Sequence, residues 1–174
     1  MGYFPLCMKL SGQTVLCVGS GKQIQDKIEK LQPFGAKLVL VGSLEAEVLA
    51  EVCPVFVVVG DTEFAEAERI SLLCRERNIP VNVVDVPALC SFYFPALITR
   101  GDVTVSVSTA GKSPAAAAYL KKQMETFLPD ATGEILAWLE GHRAELRERG
   151  ILKEVVATAF SLGRPLTEKE LVEF

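Results

Sequence analysis

Histidine occurs once in the 174 residues, at position 142, and no two of the five cysteines stand in a C-x-x-C pair. Cys7, Cys17, Cys53, Cys74 and Cys90 are scattered and odd in number, so neither structural zinc nor a disulfide framework is expected. There is no cationic surplus: 18 Lys and Arg stand against 22 Asp and Glu, for a net charge of −4. Non-specific nucleic-acid binding needs such a surplus, and no basic run or aromatic ladder compensates. Apolar runs stop at strand length, well short of the roughly 20 residues that cross a bilayer. The opening Met1-Gly2-Tyr3-Phe4-Pro5 lacks the basic region and long apolar stretch of a secretory signal. A reduced, cytoplasmic protein with no membrane and no nucleic-acid partner is therefore expected.

What the chain does have is apolar residues, 49% of the total, enough for a substantial core. Short apolar runs alternate with helical patterns, which marks an α/β protein with a mainly parallel sheet. Strands are expected at 14–18, 37–41, 55–59 and 81–84, and helices at 22–32, 44–52 and 62–77, with Thr62 as a cap. Residues 95–98 and 103–108, separated by Arg100-Gly101-Asp102, read as a hairpin or a pair of edge strands. Pro114 suits the first position of a helix that runs to Phe127, and beyond Pro129 the chain is charged and helical. The expected organisation is a Rossmann-like dinucleotide-binding domain over 1–112 and a helical region for dimerisation and substrate binding over 113–174.

Three local patterns carry chemistry. Gly19-Ser20-Gly21-Lys22, after a strand and before a helix, is half of a dinucleotide-binding fingerprint. It reads equally well as a turn that needs glycine only to turn. Its third small position is Ile24, and Val41 leads into Gly42-Ser43 where an acid for a ribose would stand. Asp85 directly follows the apolar run Val81-Asn82-Val83-Val84, placing a lone acid at a strand's carboxyl end, where α/β sheets bind ligands. It is a candidate acid/base, or a loop acid that caps nearby amides. Ser108-Thr109-Ala110-Gly111-Lys112-Ser113, just before Pro114, reads as an anion-binding turn at a helix start, and Ser113 would cap that helix in either case.

These residues resemble the precorrin-2 dehydrogenase and sirohydrochlorin ferrochelatase family, the N-terminal part of siroheme synthase. The likeness rests on Tyr3-Phe4-Pro5-Leu6, Leu10-x-Gly12, Val15 to Gly21 and Ile79-Pro80-Val81-Asn82-Val83-Val84-Asp85. It continues in order through Phe94-Pro95-Ala96, Arg100-Gly101-Asp102 and Ser108-Thr109-x-Gly111-Lys112-Ser113-Pro114. The resemblance implies NAD-dependent oxidation of precorrin-2 to sirohydrochlorin, with iron insertion in some members. By match to the family motif, Asp85 would be the catalytic acid/base. Gly19, Ser20, Gly21, Lys22, Gly60 and Asp61 would face NAD, while Ser108, Thr109, Gly111, Lys112 and Ser113 would face the carboxylates of a tetrapyrrole. No residue is assigned to a metal. A homodimer is implied, and an apolar stripe of Leu136, Trp138, Leu139 and Leu146 suits either its contact or core packing within the tail.

Departures from the family gather in the cofactor half. The family usually shows Gly-Gly-Gly-x-Val-Ala followed by Arg-Lys, whereas this chain has Gly19-Ser20-Gly21-Lys22-Gln23-Ile24 and then Asp26-Lys27. The third central strand ends in Val59-Gly60-Asp61 rather than Ala-Thr-Asp, and the segment between Val41 and Val55 is shorter, as though a strand were missing. These features frame a rival reading: a degenerate or chelatase-only member that handles a tetrapyrrole, or a partner, without NAD. His142 lies in a charged helix and reads as a surface residue. Arg100 reads as a solvated hairpin arginine, and Cys90 as a small apolar filler after Asp85.

Overall fold

The computed structural model describes residues 4–174; the opening Met1-Gly2-Tyr3 lies outside the described residues. Four short strands form one parallel sheet: β1 (Thr14–Val18), β2 (Lys37–Val41), β3 (Phe56–Val59) and β4 (Val81–Val83), in the order β2-β1-β3-β4. Parallel neighbours need crossovers, and helices α1 (Lys22–Leu31), α2 (Ala46–Val52) and α3 (Phe64–Glu76) supply them. The side-chain period of two sorts the core. Leu16, Val18, Val57, Val59, Val81 and Val83 pack with Leu49, Ile70 and Cys74 of α2 and α3. Val15, Cys17, Phe56 and Val58 point the other way and pack with Ile24 and Leu31 of α1. Every residue of β3 is buried, as expected of a central strand covered on both faces.

The mainly parallel, Rossmann-like fold expected from the alternating pattern is what the chain adopts. Its boundaries shift slightly. Thr62 caps nothing: α3 starts at Phe64, with Glu63 at the N-cap and no side-chain cap. Between β2 and β3 stands α2 alone, so β1 and β3 pair directly over Val15↔Phe56 to Val18↔Val59.

Phe94 closes this first compact unit and Pro95 opens the second, earlier than the boundary expected after residue 112. The reason is packing: strands β5 (Ala96–Arg100) and β6 (Val103–Val107) form a two-stranded antiparallel hairpin of their own, and α4 (Pro114–Glu125) lies on it. In the hairpin turn Gly101 has φ 58°, and a Cβ there would sit 2.7 Å from the Cα of Gly133. Backbone meets backbone at that crossing. Helices α5 (Thr132–Glu148), α6 (Leu152–Leu162) and α7 (Glu168–Val172) complete the unit around Ile135, Leu139, Leu146, Val155, Ala159, Leu166 and Leu171. Of the expected tail stripe, Leu139 and Leu146 are thus core residues, with Leu136 and Trp138 packed against them. Among the described residues no helix is long and apolar enough to cross a membrane.

Candidate active site

β1 delivers Gly19 and β3 delivers Gly60 side by side. The Gly19 amide donates to Val41 O at 3.0 Å, and the Gly60 amide to Val18 O at 3.0 Å. Gly19 has φ 122°, and a Cβ on it would overlap the Gly60 carbonyl. Only glycine satisfies both the conformation and the contact. A Cβ at Gly21 would likewise run into the Asp61 carboxylate.

That carboxylate has a definite task. Gly21 is the N-cap of α1 and has no side chain, so the first-turn amides need an outside acceptor. Asp61 Oδ2 accepts from the Ile24 amide at 3.2 Å, and an anion suits the positive end of the helix. Asp61 holds φ 54° to do so. Among the described residues the amides of Lys22 and Gln23 have no acceptor in the chain. The turn therefore fits a pyrophosphate at those two amides, beside the exposed Lys22, but not at Ile24. The glycine turn expected to receive the cofactor is partly filled by Asp61, which was expected to contact it. Ser20 is exposed beside them.

Asp85 lies two residues past the end of β4, just after Val84, whose N donates to Val59 O at 2.9 Å. Its φ is 61°, a left-handed backbone unusual for a residue with a side chain. Such a conformation costs about 1–3 kcal/mol and persists where the surroundings enforce it. Cys90 is a main enforcer. Its Sγ accepts from Val83 N at 3.2 Å and lies 3.1 Å from Val83 O and 3.5 Å from Val86 O. Burial raises its thiol pKa above the usual range, so it acts as a neutral staple rather than a nucleophile. Ser91 and Asn82 finish the fold-back, with Ser91 Oγ accepting from Val81 N at 2.7 Å and Asn82 Nδ2 donating to Phe92 O at 3.0 Å.

The exposed Asp85 carboxylate meets α1. Gln23 Nε2 donates to Asp85 Oδ2 at 2.6 Å, while Gln23 Oε1 accepts from Asp61 N at 3.4 Å. Lys27, one turn further on, sits 4.8 Å over the ring of Phe94. Burial lowers its pKa, helped by Lys30, and the negative charges of Asp85 and Asp26 oppose that shift. Sequence reading missed Gln23 and Lys27 as site residues; the one available signal was a polar residue where an apolar one is usual after the glycine turn.

Gly19, Gly21, Lys22, Gly60, Asp61 and Asp85 thus come together in the first unit. The turn of residues 108–113 belongs to the second. There Thr109 Oγ1 donates to Ser113 O at 3.0 Å and accepts from Ser113 N at 3.3 Å, while Ser113 Oγ caps α4 by accepting from Ala116 N at 3.1 Å. Ser108 Oγ accepts from Ala110 N at 3.2 Å, and Ala110 and Gly111 hold φ 53° and 77°. The cap expected of Ser113 is present. Thr109 is fully used within the turn, whereas Lys112 is exposed, with no ion pair among the described residues. Arg100 is not a freely solvated arginine: Nη1 donates to Thr99 O at 3.2 Å, and Nε is buried without a hydrogen bond, 3.5 Å from Asp130 Oδ1. His142 stacks on Trp138 with ring centroids 4.4 Å apart. No group of three or more His, Cys, Asp or Glu able to hold a metal occurs among the described residues.

Residues 43–96 match a family described as "Putative NAD(P)-binding". Siroheme synthase of Thioalkalivibrio sulfidiphilus is 33% identical over 99% of this chain and 42% of its own length. Siroheme synthase of Pseudomonas fluorescens is 31% identical over 84% of this chain and 36% of its own. The chain is thus similar to siroheme synthases over almost its whole length. It spans less than half the length of these curated siroheme synthases. In fold, the solved structure of SirC, a precorrin-2 dehydrogenase, superposes with a TM-score of 0.60 at 18% identity, covering 90% of this chain and 89% of that one.

Proposed function

We propose that this chain oxidises precorrin-2 to sirohydrochlorin with NAD as hydride acceptor, and that Asp85 is its acid/base. The observation that carries this reading is the setting of Asp85. A carboxylate is held in a left-handed conformation at the carboxyl end of β4 and hydrogen-bonded to the helix that follows the glycine turn. Similarity to siroheme synthases and the fold shared with SirC support it.

The oxidation removes a hydride and a proton from the substrate. NAD, when bound, supplies the hydride acceptor. The chain's own residues do the rest. The amides of Lys22 and Gln23, with the Lys22 ammonium, hold the pyrophosphate in the positive field of α1. Asp85 takes the proton and passes it to water, which its exposure allows. Lys112, with the remaining hydroxyl hydrogens of Ser108 and Ser113, receives substrate carboxylates, and Thr109 and Gly111 shape that turn. The unit up to Phe94 binds the nucleotide; the unit from Pro95 carries the substrate turn and the dimer contact. We place the protein in the cytoplasm and take it to act as a homodimer, a reading favoured by the exposed Tyr119, Leu120, Met124 and Phe127 on or just beyond α4.

The test is an anaerobic assay with fresh precorrin-2 and NAD, following NADH and sirohydrochlorin together. Both should rise in equal amounts, and Asp85→Asn should lower the rate by about 100-fold or more with an unchanged melting temperature. Near-normal turnover by the variant would sink the assignment of Asp85. One observation favours a second reading: Asp61 already holds the Ile24 amide and lies against Gly21, where a dinucleotide phosphate would press. A chelatase-only or tetrapyrrole-binding member would yield no NADH in this assay, yet would bind sirohydrochlorin or insert metal into it.

A further inference from the structure

We propose that Gln23 is a positioning residue that fixes the Asp85 carboxylate through one oxygen and leaves the other free to take the proton. The inference rests on the acid/base role proposed for Asp85. Asp85 is exposed in the turn after β4, and among the described residues no hydrogen bond from that strand limits rotation of its carboxyl group. Gln23 provides that limit from a rigid element. It is the second residue of α1, and the next residue, Ile24, is 1% exposed and anchors the helix in the sheet core.

The amide end of Gln23 can sit only one way round. Its Nε2 donates to Asp85 Oδ2 at 2.6 Å, and its Oε1 accepts from the Asp61 amide at 3.4 Å. Flipping it would set oxygen against carboxylate and NH₂ against N–H, so both neighbours enforce the same orientation. A donor aimed at an ionised oxygen forms the shorter, stronger class of hydrogen bond. Among the described residues Asp85 Oδ1 has no partner, which leaves it available to the reacting proton. Where the family pattern puts an apolar side chain, this chain puts the amide that spans Asp61 and Asp85. The glycine turn and the acid/base are thereby tied through a single residue, across 62 positions of sequence.

Two measurements test this. The first needs no turnover: in NMR spectra of the isotopically labelled full chain, the Gln23 side-chain amide resonances should shift when Asp85 is changed to Asn. Unmoved resonances would overturn the proposal. The second reads kinetics of Gln23→Met, which keeps the length and loses the donor, and of Gln23→Glu, which keeps the shape and sets a second carboxylate beside the first. Both should lower kcat, Gln23→Met by about tenfold, with KM for NAD and for precorrin-2 within about twofold and melting temperature near wild type. A wild-type kcat in a folded Gln23→Met protein would overturn the proposal, as would a rise in KM for NAD matching the loss in kcat, which would mark a merely structural role at the helix start. Should either variant fail to fold, the other carries the kinetic test. If the unaltered protein makes no NADH, the dehydrogenase reading fails, and the NMR shift still decides the Gln23–Asp85 pair.

Discussion

Asp61 and Asp85 are the acids with positive φ, at 54° and 61°, and they use that shape for opposite ends. Asp61 spends its charge on the Ile24 amide, while Asp85 is held by the Gln23 side chain. The Asp61 charge must repel a pyrophosphate arriving at the same helix start, even though it stabilises that helix in the absence of ligand. Asparagine tolerates the left-handed backbone and retains an acceptor oxygen, so Asp61→Asn removes the repulsion and little else. It should tighten NAD binding several-fold at low ionic strength, with the gain shrinking as salt is added, as calorimetric titration can show. Weaker binding would mean instead that the Asp61 charge contacts the nucleotide. The place of Asp85 was legible in sequence, because an acid after an apolar run must emerge at a strand's end. Its bond to Gln23 was not: that contact exists because β1, β3 and β4 pair in parallel and bring residues 23 and 85 together, and local pattern does not encode pairing.

Helix α7 shows an element held by its first turn. Five residues are too few to be helical on their own. Thr167 and Glu170 form a capping box, and Arg164 donates to both Glu170 oxygens at 3.0 and 2.7 Å. The Arg164 hydrogen bonds, followed by those from Thr167, hold the Glu170 carboxyl down at about 2. A carboxylate whose pKa falls on folding contributes stability that is complete above its ordinary value of 4.5 and disappears as pH drops toward 2. The unit from Pro95 should therefore lose stability across that window, and Glu170→Gln should flatten the loss. Trp138, the only tryptophan and packed against that unit's core, gives the fluorescence signal for the measurement. An unaltered acid profile in the variant would exclude the contribution. The Thr167-x-x-Glu170 spacing carries a capping box that sequence reading passed over, whereas Thr62, which it singled out, went unused. The difference is position: Glu63 takes the N-cap of α3 and leaves Thr62 one residue outside it, while burial along Ala67, Ile70 and Cys74 holds the helix.

At the scale of the whole molecule, the exposed apolar side chains of α4 weigh most. Tyr119, Leu120, Met124 and Phe127 leave an apolar stripe in water, a pattern that commonly marks a contact. The homodimer proposal predicts a sedimenting mass of twice 18.9 kDa, and a return to the single-chain mass in a Leu120→Glu, Met124→Glu double variant. A protein that sediments as one chain without substitution would refute it. Sequence left the tail-helix stripe open between a dimer contact and core packing, and packing is what it does. Its leucines do form a stripe, but α6 and α7 cover them, and periodicity alone cannot say which apolar face finds its partner within the chain. The Cys90 staple has a consequence of a different kind. Cys7 and Cys53 are exposed and open to a thiol reagent at once, while Cys17 and Cys74 are sealed in the sheet core. Cys90 lies between these extremes, bound to both backbone groups of Val83. Its rate of modification is therefore a built-in clock for how often the loop bearing Asp85 opens.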